Sequence, residues 1–248
     1  MSNDSPRLTW LEPGEPFPPL TQAWGVDSPA PGLLCAGNHL SADTLAAAYA
    51  QGIFPWYSEG QPTLWWSPDP RMVLQVDDFR LHPSLKKTLK KFSQSALCEI
   101  RFDHAFGAVI QACSGSARQG QAGTWILPEM VTAYTQFHQA GYAHSVETWI
   151  NGALVGGLYC INIGHAVFGE SMFHHATDAS KIALAALVAF CRTHHVPWID
   201  CQQNTRHLAS LGAREMPRHR FAAQLESLCL QPAPVWQFEP AMWQQLSQ

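Results

Sequence analysis

Three polar side chains stand out against an apolar background between residues 164 and 206. They are Glu170, in Gly169-Glu170-Ser171-Met172-Phe173, and Asp200 and Gln202, in Ile199-Asp200-Cys201-Gln202. Two carboxylates and an amide brought to one place can handle protons and orient a polar reactant. Residues 200 and 202 are two apart, so on an extended chain they face the same side and would present an acid and an amide to one small cleft. The plainer reading is that acids at strand ends cap the next helix or pair with a cation. A group of three resists that reading.

The elements that must hold these groups are legible in the same stretch. An apolar strand carries residues 169–173, a helix begins at about Asp178, and a second buried strand covers 197–201. Asp178 is the expected N-cap, and Ile182, Ala185, Ala186 and Ala189 give the helix a small-residue face that can lie close on a sheet. Upstream, residues 144–150 alternate as a strand, Asn151-Gly152 signals a two-residue hairpin, and 153–160 return. Hairpin strands followed by a crossover helix and a final strand predict an α+β fold, a mixed and mostly antiparallel sheet with helices on its faces. Further helices are expected over 43–51, capped by Ser41 and stopped by Gly52, and over 104–113, 128–140, 204–211 and 218–229, with a strand over 98–102. The proline-rich residues 1–31 read as an extended strap without packed elements.

Two surfaces suggest a polyanionic partner. In His82-Pro83-Ser84-Leu85-Lys86-Lys87-Thr88-Leu89-Lys90-Lys91-Phe92, Leu85, Leu89 and Phe92 form an apolar helical stripe, leaving Lys86, Lys87, Lys90 and Lys91 on the other face. Like charges four residues apart repel slightly, a cost that a phosphate backbone reverses. The aromatics of Gly52-Ile53-Phe54-Pro55-Trp56-Tyr57 and Leu64-Trp65-Trp66-Ser67-Pro68-Asp69-Pro70-Arg71 fit a sealed core or a stacking surface equally well. The Gly- and Ser-rich segment 114–123 reads as a mobile loop and lacks the spacing of a phosphate-binding loop.

Composition narrows the class. The net charge of -4 argues against a surface that coats nucleic acid, though not against a local basic patch. Seven scattered cysteines without a CxxC pair argue against disulfides or zinc and for a reducing cytoplasm. Twelve histidines show no metal-ligand spacing, so no metal is expected. The N-terminus lacks the pattern of a signal peptide, and the apolar run 182–191 is about half of a bilayer span, which predicts a soluble chain.

The motifs quoted above, together with Gly123-Thr124-Trp125-Ile126, resemble the leucyl/phenylalanyl-tRNA–protein transferase family, in family order from about Gly32 to Cys229. The resemblance implies a small N-terminal domain, 1–69, and a GNAT-like C-terminal domain, 70–248. It implies transfer of leucine, phenylalanine or, less well, methionine from aminoacyl-tRNA to proteins that begin with arginine or lysine, in the bacterial N-end rule pathway. By resemblance, Tyr49 and Trp56 hold the 3′-terminal adenosine, Leu158, Met172, Leu187 and Ile199 line the amino-acid pocket, and Glu170, Asp200 and Gln202 serve the reacting centre. Two positions depart from the family pattern. Pro83 stands where relatives have an arginine, leaving Lys87 and Lys90 to carry the phosphate contacts. Leu158 and Leu187 replace a methionine and a phenylalanine, which bears on the choice between leucine and phenylalanine.

An aminoacyl ester is already activated, so the implied reaction needs neither cofactor nor metal, only an uncharged amine held against the ester carbonyl. Gln202 is too weak a base to take the proton, but its oxygen can accept the amine's N–H while Asp200 stabilises positive charge. Glu170 would attract either the acceptor side chain or the donor amine. An acetyl-CoA-dependent acetyltransferase is the alternative, but residues 174–179, His-His-Ala-Thr-Asp-Ala, lack the glycines of a pyrophosphate loop. A non-catalytic RNA-binding module would leave Glu170, Asp200 and Gln202 unexplained.

Overall fold

The computed structural model describes residues 7–37, 40–115 and 126–246. A four-stranded sheet is ordered β1 (Thr9–Leu11), β2 (Leu33–Gly37), β4 (Thr63–Trp66) and β3 (Phe54–Pro55). The proline-rich start is thus more than a strap, because β1 pairs in parallel with β2 as an edge strand. A seven-stranded sheet follows, ordered β11 (Arg214–Met216), β5 (Arg71–Gln75), β10 (Trp198–Gln202), β9 (Ala166–His174), β8 (Ala153–Ile163), β7 (Ala143–Ile150) and β6 (Cys98–Phe102). Every neighbouring pair is antiparallel except β9 and β10, the two joined by a crossover helix. The mixed sheet read from the sequence is the one observed.

That crossover helix, α5 (Ala179–Thr193), is buried along most of its length because small residues let it lie flat. The contact is so close that a Cβ on Gly156 of β8 would stand 2.5 Å from the Cβ of Ala179. Asp178 precedes the helix as expected, but in the left-handed region at φ 62 and without capping any N–H. Its carboxylate instead accepts from Lys181 Nζ at 2.8 Å and Thr88 Oγ1 at 3.5 Å. Asn151 and Gly152 both have positive φ, the requirement of a tight hairpin that matches strand twist.

Consecutive strand residues face opposite cores, as the period of two demands. On one side, Phe168 and Trp198 join the small sheet, α1 (Ala42–Tyr49), α3 (Phe106–Ser114), α4 (Pro128–Gln139) and α7 (Arg218–Cys229). On the other, Val167 and Ile199 join α5 and α2 (Pro83–Ser93). The chain's end packs there too: Trp236 stacks on His144 at 4.1 Å and donates to Asn162 Oδ1 at 3.0 Å. Most of the loop read over 114–123, and Gly123, Thr124 and Trp125 of the family motif, lie outside the described residues. Among those described, no helix is long and apolar enough to cross a membrane.

Candidate active site

A cleft of about 800 Å³ opens beside the ends of β9 and β10. Two strand irregularities build its floor. Opposite β8, Tyr159 pairs with Ser171 and Cys160 with Gly169, so Glu170 is the extra residue of a bulge. Opposite β5, Val73 pairs with Asp200 and Met72 with Gln202, so Cys201 is extra in the same way. Each bulge re-aims a side chain, and the two bring Glu170 and Gln202 together.

Glu170 Oε1 accepts from Tyr49 Oη at 2.6 Å and from Gln202 Nε2 at 2.8 Å. Tyr134 Oη lies 2.6 Å from Tyr49 Oη, and because the proton of Tyr49 goes to Glu170, Tyr134 donates to Tyr49. With its Nε2 committed to Glu170, Gln202 has its amide oxygen left as the acceptor for the cleft. Burial pushes the Glu170 carboxyl up to about 8, against the lowering effect of the Tyr49 hydrogen bond; the charge of Asp200 adds to the rise, and Arg71 and Gln202 oppose it. Burial, then the neighbouring Glu170, lifts the Tyr49 hydroxyl well above its usual range, so it stays a donor.

The family model for leucyl/phenylalanyl-tRNA protein transferase matches residues 73–226, and the model of that family's N-terminal domain matches 38–69. The chain belongs to this family. A leucyl/phenylalanyl-tRNA–protein transferase from Albidiferax ferrireducens is 61% identical over 99% of this chain and 97% of its own length. One from Polaromonas sp. is 62% identical over 96% and 94%. A solved GCN5-related N-acetyltransferase from Kribbella flavida reaches a TM-score of only 0.31 at 11% identity, over 67% of this chain and 57% of its own.

Leu158, Met172, Leu187 and Ile199 all line the cleft, joined by Leu184. Trp56, partly exposed, lines the cleft too and stands 5.4 Å from Trp66. The tryptophan cluster divides, because Trp65 is fully buried against Phe17 while Trp56 keeps a face toward the cleft.

Two expectations need correction. Tyr49 is fully buried, its ring packed between Phe137 and Phe168, so it has no free face for an adenine and reaches the site only through its hydroxyl. Asp200 does not share a side with Gln202. The bulge at Cys201 breaks the two-residue period and leaves Asp200 fully buried behind the floor. There Arg71 grips it with Nε at 2.8 Å and Nη2 at 2.6 Å. The same guanidinium donates to Gly52 O at 3.0 Å and lies between the rings of Phe54 and Phe221. Asp200 still reaches Gln202 from behind, accepting its backbone N–H at 2.9 Å, which holds Gln202 at its positive φ of 62.

Arg71 and Tyr134 were missed as site residues. Neither carries a local signal, since an arginine after a proline or a tyrosine inside a helix reads as ordinary structure. Lys86, Lys87, Lys90 and Lys91 are exposed on α2 as expected, away from the cleft, while Leu85, Leu89 and Phe92 are buried.

Proposed function

We propose that this chain transfers leucine, phenylalanine and, less well, methionine from aminoacyl-tRNA to the α-amine of proteins that begin with Arg or Lys, in the bacterial cytoplasm and its N-end rule pathway. The observation that carries this reading is the Glu170–Gln202 pair set at 2.8 Å between an apolar pocket and an open tryptophan. In this reading residues 1–69 supply the adenosine-side wall through Trp56, and residues 70–248 supply the acyl pocket and the reacting centre. Leu158, Met172, Leu187 and Ile199 enclose the donor side chain, which places the ester carbonyl above the floor.

The acceptor amine attacks that carbonyl, the ester C–O bond breaks, and the 3′ oxygen of the ribose leaves with a proton. Gln202 Oε1 accepts an N–H of the incoming amine and so aims its lone pair. An α-ammonium has a pKa near 8, and Glu170 is poised at about 8, so a proton passes between them at little cost. Asp200 acts through Gln202 rather than on the substrate, because Arg71 already neutralises it. Lys86, Lys87, Lys90 and Lys91 meet the tRNA backbone. Coenzyme A fits poorly, since the carboxylate of Asp178 stands at the N-terminus of α5, the end of a helix that would otherwise attract a pyrophosphate.

Incubation with labelled phenylalanyl-tRNA should label a peptide that begins with Arg and spare one that begins with Met or Asp. Failure to label the Arg peptide sinks the transferase reading.

A further inference from the structure

The chain has only five lysines, and all of them lie on two helices that meet. Four are on α2, and the fifth, Lys181, is in the first turn of α5. Asp178 bridges the two, accepting from Lys181 and from Thr88 of α2. A third helix, α6 (Arg206–Ser210), is tied to the same corner, because His82 at the start of α2 donates from Nε2 to Ser210 O at 3.0 Å. The other end of α6 is a wall of the cleft, which Arg206 and His207 line together with Gln202. Five helical residues span about 7.5 Å, so α6 connects a wall of the cleft to the start of the lysine helix. His207 is held below its usual pKa range by loss of water and then by the charge of Lys181.

Arg206 is exposed, and among the described residues no carboxylate stands within ion-pairing distance of it. Lys181 shares its charge with Asp178, whereas Arg206 brings a whole one to the edge of the site. The proposed acceptor has the wrong sign to meet it, since both its α-amine and its first side chain are basic. The proposed donor has the right sign, because its terminal adenosine is joined to the chain through phosphates. We infer that Arg206 contacts the phosphates at the 3′ end of the donor tRNA. α6 is then the first step of a cationic path from the reacting centre past Lys181 to the lysine face of α2. This rests on the transferase reading for the identity of the donor, and it extends the tRNA surface beyond α2.

The test compares wild type, Arg206→Ala and Arg206→Lys on two donors. One is phenylalanyl-tRNA; the other is 3′-phenylalanyl-adenosine, which carries the reacting ester but no phosphate. Arg206→Ala should lower kcat/KM with the tRNA at least about threefold beyond any loss with the adenosine ester. It should also reduce the slope of log binding constant against log salt for phenylalanyl-tRNA by about 0.7, the single-strand value per phosphate contact. Arg206→Lys should recover most of both. Equal losses on the two donors, or an unchanged salt slope, overturn the inference. A wild type that binds phenylalanyl-tRNA but transfers nothing defeats the transferase reading instead, and the salt slope still decides for Arg206. A wild type that does not bind phenylalanyl-tRNA ends both.

Discussion

Glu170 is a carboxyl held between two donors in a place poor in water, and that combination has a measurable pH signature. Its folded pKa of about 8 lies above the ordinary value of 4.5. Between those pH values the folded chain keeps a proton that the unfolded chain has released, so Glu170 makes stability fall as pH rises from about 4.5 to about 8. Below that window both states are protonated and the penalty vanishes. Glu170→Gln keeps the shape without the titration. Urea unfolding at pH 5 and pH 8.5 should show a smaller loss between the two in the variant than in wild type; equal losses would mean that the carboxyl titrates normally. The same variant should flatten the rise of kcat/KM toward pH 8, because it cannot take the amine's proton. At this scale the sequence was informative where residue type was unusual for its surroundings. Glu170 and Gln202 were visible in that way, whereas Tyr49 was misplaced because nothing local distinguishes a buried ring from an open one.

Strands and helices decide what those residues face, and here a single inserted residue matters more than propensity. Alternation predicted one face for Asp200 and Gln202, but a bulge adds a residue on one strand only and cannot be seen without its partner. Asp200 therefore locks β10 to β5 through Arg71. Asp200→Ala leaves a buried guanidinium unpaired and should cost about 3 kcal/mol of unfolding free energy, read by denaturant titration. Replacing both partners by apolar residues should cost less than the sum of the single losses, the mark of a coupled pair. The fit between β8 and α5 is equally specific. Gly156→Ala forces a methyl onto Ala179, and the overpacking should cost about 1–3 kcal/mol in the same measurement. The small-residue face of α5 was legible as a close contact, and the hairpin at Asn151-Gly152 as a turn. The capping role expected of Asp178 was not met, because Lys181 and Thr88 compete for its carboxylate.

Across the whole molecule, the lysines are gathered rather than spread, so a chain of net charge -4 can still bind a polyanion on one side. Lys87→Ala combined with Lys90→Ala should weaken tRNA binding and reduce its salt slope by about 2, at 0.9 per duplex phosphate contact. Unaltered binding would show that α2 is merely solvated. This clustering was plain in the sequence, since the count of lysines is a property of composition. Its link to α6 was not, because α6 meets the start of α2 only when residues 82 and 210 come together.

Tyr49, Tyr134, Glu170 and Gln202 are drawn from four distant stretches of chain, yet they form one relay of hydrogen bonds. A chain in which any one of those stretches is missing or displaced cannot complete it. Activity is thus an all-or-none reporter of complete folding, and during urea titration it should disappear together with the native tryptophan emission rather than ahead of it. A nascent or damaged copy stays silent, unable to squander charged tRNA on whatever amine drifts past.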